Sequence, residues 1–312
     1  MKQLIVLSGK GGTGKTTVVG AFASLAKNKV LADCDVDAAD LFIILEPENI
    51  ERAEFYSGRK PKTNLDKCTA CGICTDLCRY HAIVDGDVDL VECEGCGLCA
   101  LACPEEAISM EDAFCGEWFI ADTRYGPLAH ARLGIGEENS GKLVAQVRKV
   151  AQSIAEERNL DLVLIDGPPG IGCPVISSLA GVDLVLIVTE PTVAGIHDLE
   201  RLVSLARHFN ILPSICINKY DINEEKARAI EAYCRDNNLP ILGKIPFDVA
   251  VVKAMVEKKT VMEYACPTIH HAIEDMWGGV QKTLTDISKD TDCLLYTSPS
   301  PRDRTRSRMP SS

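Results

Sequence analysis

Two groups of residues in this sequence have the types and the spacing that chemistry requires. The first is a glycine-rich loop, GKGGTGKTT, which follows an apolar segment and matches the phosphate-binding pattern G-x-x-x-x-G-K-S/T. Glycines let backbone N–H groups point inward around a phosphate. The loop therefore predicts a nucleoside triphosphate site, with Lys15 on the β- and γ-phosphates and Thr16 on Mg²⁺. Its expected nucleotide-binding members are Gly9, Lys10, Gly11, Gly12, Thr13, Gly14, Lys15, Thr16 and Thr17.

The second group is a pair of cysteine runs, each with the spacing C-x₂-C-x₂-C-x₃-C. The runs lie in an internal repeat, in which KCTACGICTDLCRYHAI at 67–83 matches ECEGCGLCALACPEEAI at 92–108. The spacing resembles that of bacterial two-cluster ferredoxins, where the fourth cysteine of each run binds the other cluster. This resemblance implies two [4Fe–4S] clusters. The expected ligands are Cys68, Cys71, Cys74 and Cys103 for the first cluster, and Cys93, Cys96, Cys99 and Cys78 for the second.

Zinc is the alternative for these cysteines, because paired C-x₂-C units also bind zinc. Three evenly spaced cysteines plus a fourth, occurring twice, are not a usual zinc layout. In the ferredoxin pattern a proline often follows the fourth cysteine of a run. Pro104 follows the second run here, but Arg79 follows the first, so the first run departs from the pattern at this position. A disulfide framework is disfavoured, since the chain has an odd count of 15 cysteines and no export signal at its start.

The lysine at the second position of the loop, Lys10, adds to the first motif. It resembles the deviant phosphate loop of the MinD/ParA/Mrp/nitrogenase-iron-protein superfamily, also described as the CobQ/CobB/MinD/ParA type. The resemblance spans about residues 1–290, and DTRYGPLAHARLGIGEENSGKLV at 122–144 is also similar. It implies that Lys10 reaches the nucleotide of a second subunit, and hence a homodimer bridged by nucleotide.

Further motifs carry the same resemblance. ADCDVDAAD at 32–40 and DLVLIDGPPG at 161–170 each follow an apolar strand, and Mg²⁺ and an attacking water both need oxygen ligands. The resemblance implies that Asp35, with Asp33 beside it, activates the water, and that Asp166 joins Thr16 at Mg²⁺. The expected catalytic residues are thus Lys10, Lys15 and Asp35.

Base recognition is expected at NKYD, residues 218–221, and at IPFD, residues 245–248. Asn218 is expected to contact the base and IPFD to line its other side, so Asn218, Lys219 and Pro246 are expected nucleotide-binding residues. NKYD also resembles the guanine-reading motif of GTPases, so GTP is the alternative. ATP is favoured because the rest of the chain resembles the ATPase branch.

Apolar strands alternating with helices predict an α/β fold with a mostly parallel sheet. The sequence therefore indicates a P-loop NTPase with an inserted small α+β domain of bacterial-ferredoxin type. The expected domains are 1–60 and 111–290 for the two parts of the ATPase, 61–110 for the insert, and 291–312 for a non-native or disordered tail. Strands are expected at 3–7, 30–34, 161–166, 183–189, 214–219 and 240–245, and helices at 140–158, 175–180, 195–208, 224–236 and 268–288.

Composition narrows the class of protein. A net charge of −12 argues against nucleic-acid binding, and no apolar run is long enough for a membrane span. The start of the chain does not fit a signal peptide, so a cytoplasmic protein is expected.

Two functions fit these modules. One is an ATPase that gates electron transfer through the clusters to a redox partner, and the other is a carrier that delivers clusters to apo-proteins. A positioning ATPase like MinD is a third hypothesis. Cys173 lies at an offset from Asp166 similar to that of a cluster ligand in the nitrogenase iron protein, but a second such cysteine is missing, so a buried or helix-start thiol is the favoured interpretation.

Overall fold

The computed structural model describes residues 1–134 and 140–297. Its strands, in chain order, are β1 Lys2–Ser8, β2 Lys29–Asp33, β3 Glu48–Thr63, β4 Ile83–Val84, β5 Asp87–Val88, β6 Ile108–Thr123, β7 Gly126–Leu133, β8 Leu162–Pro169, β9 Leu184–Thr189, β10 Pro213–Asn218 and β11 Ile241–Ile245. Its α-helices are α1 Lys15–Leu25, α2 Leu41–Leu45, α3 Ile73–Leu77, α4 Leu98–Ala102, α5 Ser140–Glu157, α6 Cys173–Leu179, α7 Val193–His208, α8 Glu224–Asp236, α9 Val249–Val256 and α10 Pro267–Thr297.

One large sheet organises the described part of the chain, in the strand order β11-β10-β9-β1-β8-β2-β7-β6-β3. The strands from β11 to β7 are parallel, and the β7–β6 and β6–β3 pairs are antiparallel. The prediction of a mostly parallel α/β sheet is therefore confirmed. Because parallel strands share one carboxyl edge, the loops after β1, β2, β8 and β10 meet there.

Two apolar cores cover the two faces of this sheet. On one face Phe22 of α1 is fully buried and packs on Trp277 of α10, with ring centroids 4.9 Å apart. On the other face α5, α6 and α7 bury Val147, Val175 and Leu202 against the strands. The central strands are continuous runs of buried apolar residues, which is the pattern expected when helices cover both faces.

A long antiparallel ribbon, which the sequence did not predict, extends from the edge of the sheet. Strands β3 and β6 pair from Glu48 opposite Asp122 to Thr63 opposite Ile108, and β6 also pairs with β7. The cysteine-rich segment, residues 64–107, closes the far end of this ribbon, and we call it the cysteine lobe. The domain limits expected near residues 60 and 110 therefore fall inside the two strands.

The cysteine lobe has a small apolar core of its own. Its short helices α3 and α4 contact each other, and each begins directly after a glycine with positive φ, Gly72 at 78° and Gly97 at 77°. Only glycine adopts this backbone conformation without strain. Ile83, Cys99 and Ile108 are buried together between these helices and the end of the ribbon.

The last helix is longer than expected, because α10 continues past residue 288 to Thr297. It thus enters the segment that was expected to be a tail, and the remainder of that segment, 298–312, lies outside the described residues. Across 1–134 and 140–297, no helix combines the length and the apolar character that crossing a membrane requires.

An aromatic stack joins the ribbon to the loop after β2. His130 of β7 lies between Phe119 of β6 and Phe42 of α2, with ring centroids 4.8 Å and 5.7 Å away. The Nε2 atom of His130 is buried and has no hydrogen-bond partner among the described residues. Burial, together with the nearby positive charge of Arg132, lowers the pKa of His130 to about 4. The imidazole is therefore neutral in the folded protein.

This depressed pKa predicts an acid-sensitive contribution to stability. In the unfolded chain the pKa of His130 is about 6.5. Between pH 6.5 and 4 the unfolded state therefore binds a proton that the folded state does not, so stability falls as the pH is lowered. The loss amounts to at most about 3 kcal/mol. We expect His130→Phe, which keeps an aromatic ring in the stack, to unfold in urea with a shallower dependence on pH over this window. Equal pH slopes in the two proteins would contradict the assignment.

Candidate nucleotide-binding site

The glycine-rich loop lies between β1 and α1 at the carboxyl edge of the sheet. Gly14 has φ of 94°, and a Cβ atom there would lie 2.3 Å from Nδ2 of Asn218. That same amide donates a hydrogen bond of 2.7 Å to the carbonyl oxygen of Thr13. A side chain at position 14 is therefore excluded both by the backbone conformation and by the residue that holds the loop in place.

Lys15 is buried among acidic side chains at the start of α1. Its Nζ lies 2.7 Å from Oδ1 of Asp166, within β8, and 3.4 Å from Oδ2 of Asp35, after β2. Burial alone would lower the pKa of Lys15, but the two carboxylates outweigh it and raise that pKa above its usual value. The ammonium group is thus charged and held at the base of the loop.

A third acid, Asp33, completes this group. It lies in register with Asp166 on the adjacent strand, and its carboxylate accepts hydrogen bonds from the N–H groups of Asp35, at 3.1 Å, and Leu41, at 3.2 Å. Burial and the neighbouring carboxylate of Asp166 raise the pKa of Asp33 well above its usual range. Burial also raises the pKa of Asp35, against the opposing effect of Lys15.

One oxygen of this acidic group has no partner. Oδ2 of Asp166 is buried and accepts no hydrogen bond from the residues that the structure describes. A buried carboxylate oxygen without a donor is costly, whereas Mg²⁺ and its bound waters take such oxygens as ligands. The site therefore has the donor set that a magnesium nucleotide requires.

Lys10 forms an ion pair within its own chain. Its Nζ, on a side chain that is 47% exposed, lies 2.9 Å from Oε1 of Glu190. The other oxygen of Glu190 lies 3.3 Å from Nζ of Lys219, which also donates to the carbonyl oxygen of Gly12 at 3.1 Å. Sequence reasoning missed Glu190, although its position directly after β9, at the same edge as the loop, was a usable signal.

An open cleft of about 1300 Å³ brings most of the expected residues together. The expected residues in its lining are Gly11, Gly12, Gly14, Lys15, Thr16, Thr17, Asp35, Asn218, Lys219 and Pro246. Phe247 of the IPFD motif lines this cleft as well. Apolar residues from α9 and α10, which the motifs did not predict, also line it: Val251, Val252, Met255, Ile269 and Ile273.

Asp221, the last residue of NKYD, has a structural contact in this region. Its Oδ1 accepts a hydrogen bond of 2.7 Å from the backbone N–H of Phe247. This bond joins the loop after β10 to the loop after β11, and both loops contribute to the lining of the cleft.

The structure brings the first expected cysteine quartet to one pocket in the cysteine lobe. Cys68, Cys71, Cys74 and Cys103 line this pocket, although Cys103 belongs to the second run. Of the second quartet, Cys99 is buried and Cys78 packs against the same small core, while Cys96 is exposed. Sγ of Cys93 accepts a hydrogen bond of 3.4 Å from the N–H of Gly95.

Among the described residues, no three His, Cys, Asp or Glu side chains come together closely enough to hold a single metal ion.

Cys173 is the first residue of α6, and it is an exposed free thiol rather than a buried one.

The sheet order and the loop between β1 and α1 define a P-loop nucleotide-binding protein of the α/β class. Residues 4–261 match the sequence model of the CobQ/CobB/MinD/ParA nucleotide binding domain, so the chain belongs to this family. The resemblance found in the motifs is thereby confirmed for the nucleotide-binding part.

Individual relatives agree with this membership. The uncharacterized protein MJ0578 of Methanocaldococcus jannaschii is 35% identical over 82% of this chain and 88% of its own length. The septum site-determining protein MinD of Bacillus subtilis is 24% identical over 81% of this chain and 79% of its own. In structure, MinD of Pyrococcus horikoshii complexed with Mg-ADP has the same fold, with a TM-score of 0.56, 18% identity, and coverage of 90% of this chain and 96% of that one.

Proposed function

We propose that this protein is a Mg²⁺-dependent ATPase in which nucleotide state gates electron transfer, through two [4Fe–4S] clusters in the cysteine lobe, to a redox partner. The observation that carries the proposal is the pocket lined by Cys68, Cys71, Cys74 and Cys103. These are the four ligands that the ferredoxin spacing predicts for one cluster, including the ligand from the other run.

The donor set of the lobe fits clusters. A [4Fe–4S] cluster takes one thiolate at each of four iron atoms, so its ligands surround it instead of converging on one point as they do for a single ion. Two backbone N–H groups already lie on cysteine sulfurs, that of Gly95 on Cys93 and that of Ala107, at 3.3 Å, on Cys103. Such donors stabilise cluster sulfurs, and the clusters would supply one-electron transfer.

In the nucleotide site, the proposed roles follow from the contacts of each side chain. Lys15 would turn from Asp166 and Asp35 to the β- and γ-phosphates, leaving these acids for Mg²⁺ and the attacking water. Thr16 would join Asp166 at Mg²⁺, and Asp35 would orient the water. Freed from Glu190, Lys10 would reach the nucleotide of a second subunit.

ATP is the favoured nucleotide. Reading guanine would require the carboxylate of Asp221, but one of its oxygens accepts the N–H of Phe247. The base would instead lie between Asn218 and Pro246, against the apolar residues of α9.

A second candidate is a positioning ATPase, which the septum-site relatives support. Such a role has no evident use for eight cysteines in cluster spacing. Delivery of clusters to apo-proteins is a third, and it is disfavoured because a donor needs a labile cluster, while four thiolates per cluster bind tightly. The sequence after residue 111 contains no C-x-x-C pair of the kind that two subunits could share for such a cluster.

The proposal predicts the metal content of the protein. Anaerobically purified or reconstituted protein should be brown and contain about eight irons per chain, as two [4Fe–4S] clusters require. Replacing Cys68 and Cys103 together by serine should remove about half of this iron, and replacing the scattered Cys234 should not change it. Stoichiometric zinc without iron would contradict the proposal.

The two loop lysines should differ in their effects. Lys15→Ala should weaken MgATP binding on the order of 100-fold, because a charge-assisted contact to the phosphates is lost. Lys10→Ala should keep most of the binding and lose hydrolysis and ATP-dependent dimerisation, measured by turnover and sedimentation. Equal losses of binding in both variants would show that Lys10 does not act on the nucleotide of a second subunit.

A further inference from the structure

An unpartnered hydroxyl lies beside the first cysteine quartet. Thr63 is the last residue of β3 and lines the same pocket as Cys68, Cys71, Cys74 and Cys103. Its Oγ1 is buried, and no hydrogen-bond partner for it exists among the described residues. A buried hydroxyl without a partner is costly, so such a group calls for an acceptor that the protein chain itself does not provide.

The wall of the pocket includes a glycine that has both Thr63 and a cysteine as neighbours. Gly86 has φ of 83°, and a Cβ atom there would lie 3.2 Å from Sγ of Cys68 and 3.8 Å from Cγ2 of Thr63. Thr63 and Cys68 thus border the same glycine. The absence of a side chain at position 86 keeps the space between them open.

The internal repeat reveals an asymmetry between the two quartets. Cys68 corresponds to Cys93, an offset of 25 residues, and the same offset relates Thr63 to Val88. The strand pairing agrees, because Thr63 pairs with Ile108 while Val88 pairs with Ile83, which is the repeat equivalent of Ile108. The first site therefore has a hydroxyl where the second has a methyl group.

We propose that Thr63 sets the reduction potential of the first site by donating its hydroxyl hydrogen to a sulfur atom of the bound cluster. This inference rests on the proposed function. A donor to sulfur stabilises the more negative, reduced state, so the cluster held by Cys68, Cys71, Cys74 and Cys103 has the more positive potential of the two. Arg79 lies next to Cys78, a ligand of the second site, and its positive charge acts to raise the potential of that site. Because Arg79 is exposed and screened by water, this effect reduces the difference between the two potentials only slightly.

The experiment is an anaerobic redox titration of both clusters by EPR, with iron content measured on each sample. Thr63→Val keeps the shape of the side chain and removes the donor, and it should shift one midpoint potential in the negative direction while the other stays in place. Thr63→Ser keeps a hydroxyl and should retain the wild-type potentials. Val88→Thr adds the missing donor to the second site and should shift the other potential in the positive direction.

These variants separate the inference from the proposed function. A wild-type protein that binds no iron overturns the proposed function, and this inference with it. Fully loaded Thr63→Val with unchanged potentials overturns the inference alone. If Thr63→Val binds no iron, the Val88→Thr variant provides the test. A positive shift in the potential of its second cluster supports the inference, and an unchanged potential overturns it.

Discussion

A single buried ammonium group lies among three acidic side chains at the carboxyl edge of the sheet. Lys15 lies 2.7 Å from Asp166 and 3.4 Å from Asp35, and Asp33 is buried beside them. Removing one partner from such a buried ion pair destabilises the folded protein by about 3–5 kcal/mol, so this group of charges is stable only while its charges are matched. One ammonium is too little positive charge for three ionised acids. Two features reduce this imbalance: the pKa of Asp33 is raised, and Oδ2 of Asp166, which has no hydrogen-bond partner within 1–134 and 140–297, is available to a cation.

This charge arrangement also links the loop after β2 to the rest of the molecule. Asp33 accepts the N–H of Leu41, the first residue of α2, and the next residue, Phe42, stacks on His130. His130 in turn stacks on Phe119 in β6, the strand that begins at the cysteine lobe. The packed rings thus form a continuous path of contacts from the acidic side chains around Lys15 to the ribbon.

The central sheet and its phosphate loop could be predicted because their signals are local. Strands such as Leu184–Thr189 are continuous apolar runs, and the loop residues are adjacent in sequence. The ribbon was missed because β3 is rich in charged residues, as in Glu48–Arg52, and has no apolar run. Its strands are defined by their pairing with each other over a separation that spans the whole cysteine lobe.

The same distinction applies to the candidate site residues. The cysteine and phosphate-loop spacings were visible in the sequence, whereas the positions of Glu190, the apolar residues of α9 and the buried hydroxyl of Thr63 are defined only by folding. Asp221 is an example. The NKYD motif alone did not distinguish between ATP and GTP, and the hydrogen bond that Asp221 accepts from Phe247 is a tertiary contact that no local sequence pattern predicts.

If the nucleotide site and the cysteine lobe work as one unit, linkage requires that the bound nucleotide change the potentials of the clusters. The measurement is the midpoint potential of each cluster in the presence of MgADP and of Mg²⁺ with a non-hydrolysable ATP analogue. A coupling of about 1–3 kcal/mol corresponds to a difference of roughly 40–130 mV for a one-electron couple. We expect such a difference in the wild-type protein, and a smaller one in His130→Ala, which interrupts the aromatic stack. Potentials that are identical with both nucleotides would contradict the claim and leave two modules that share only a chain.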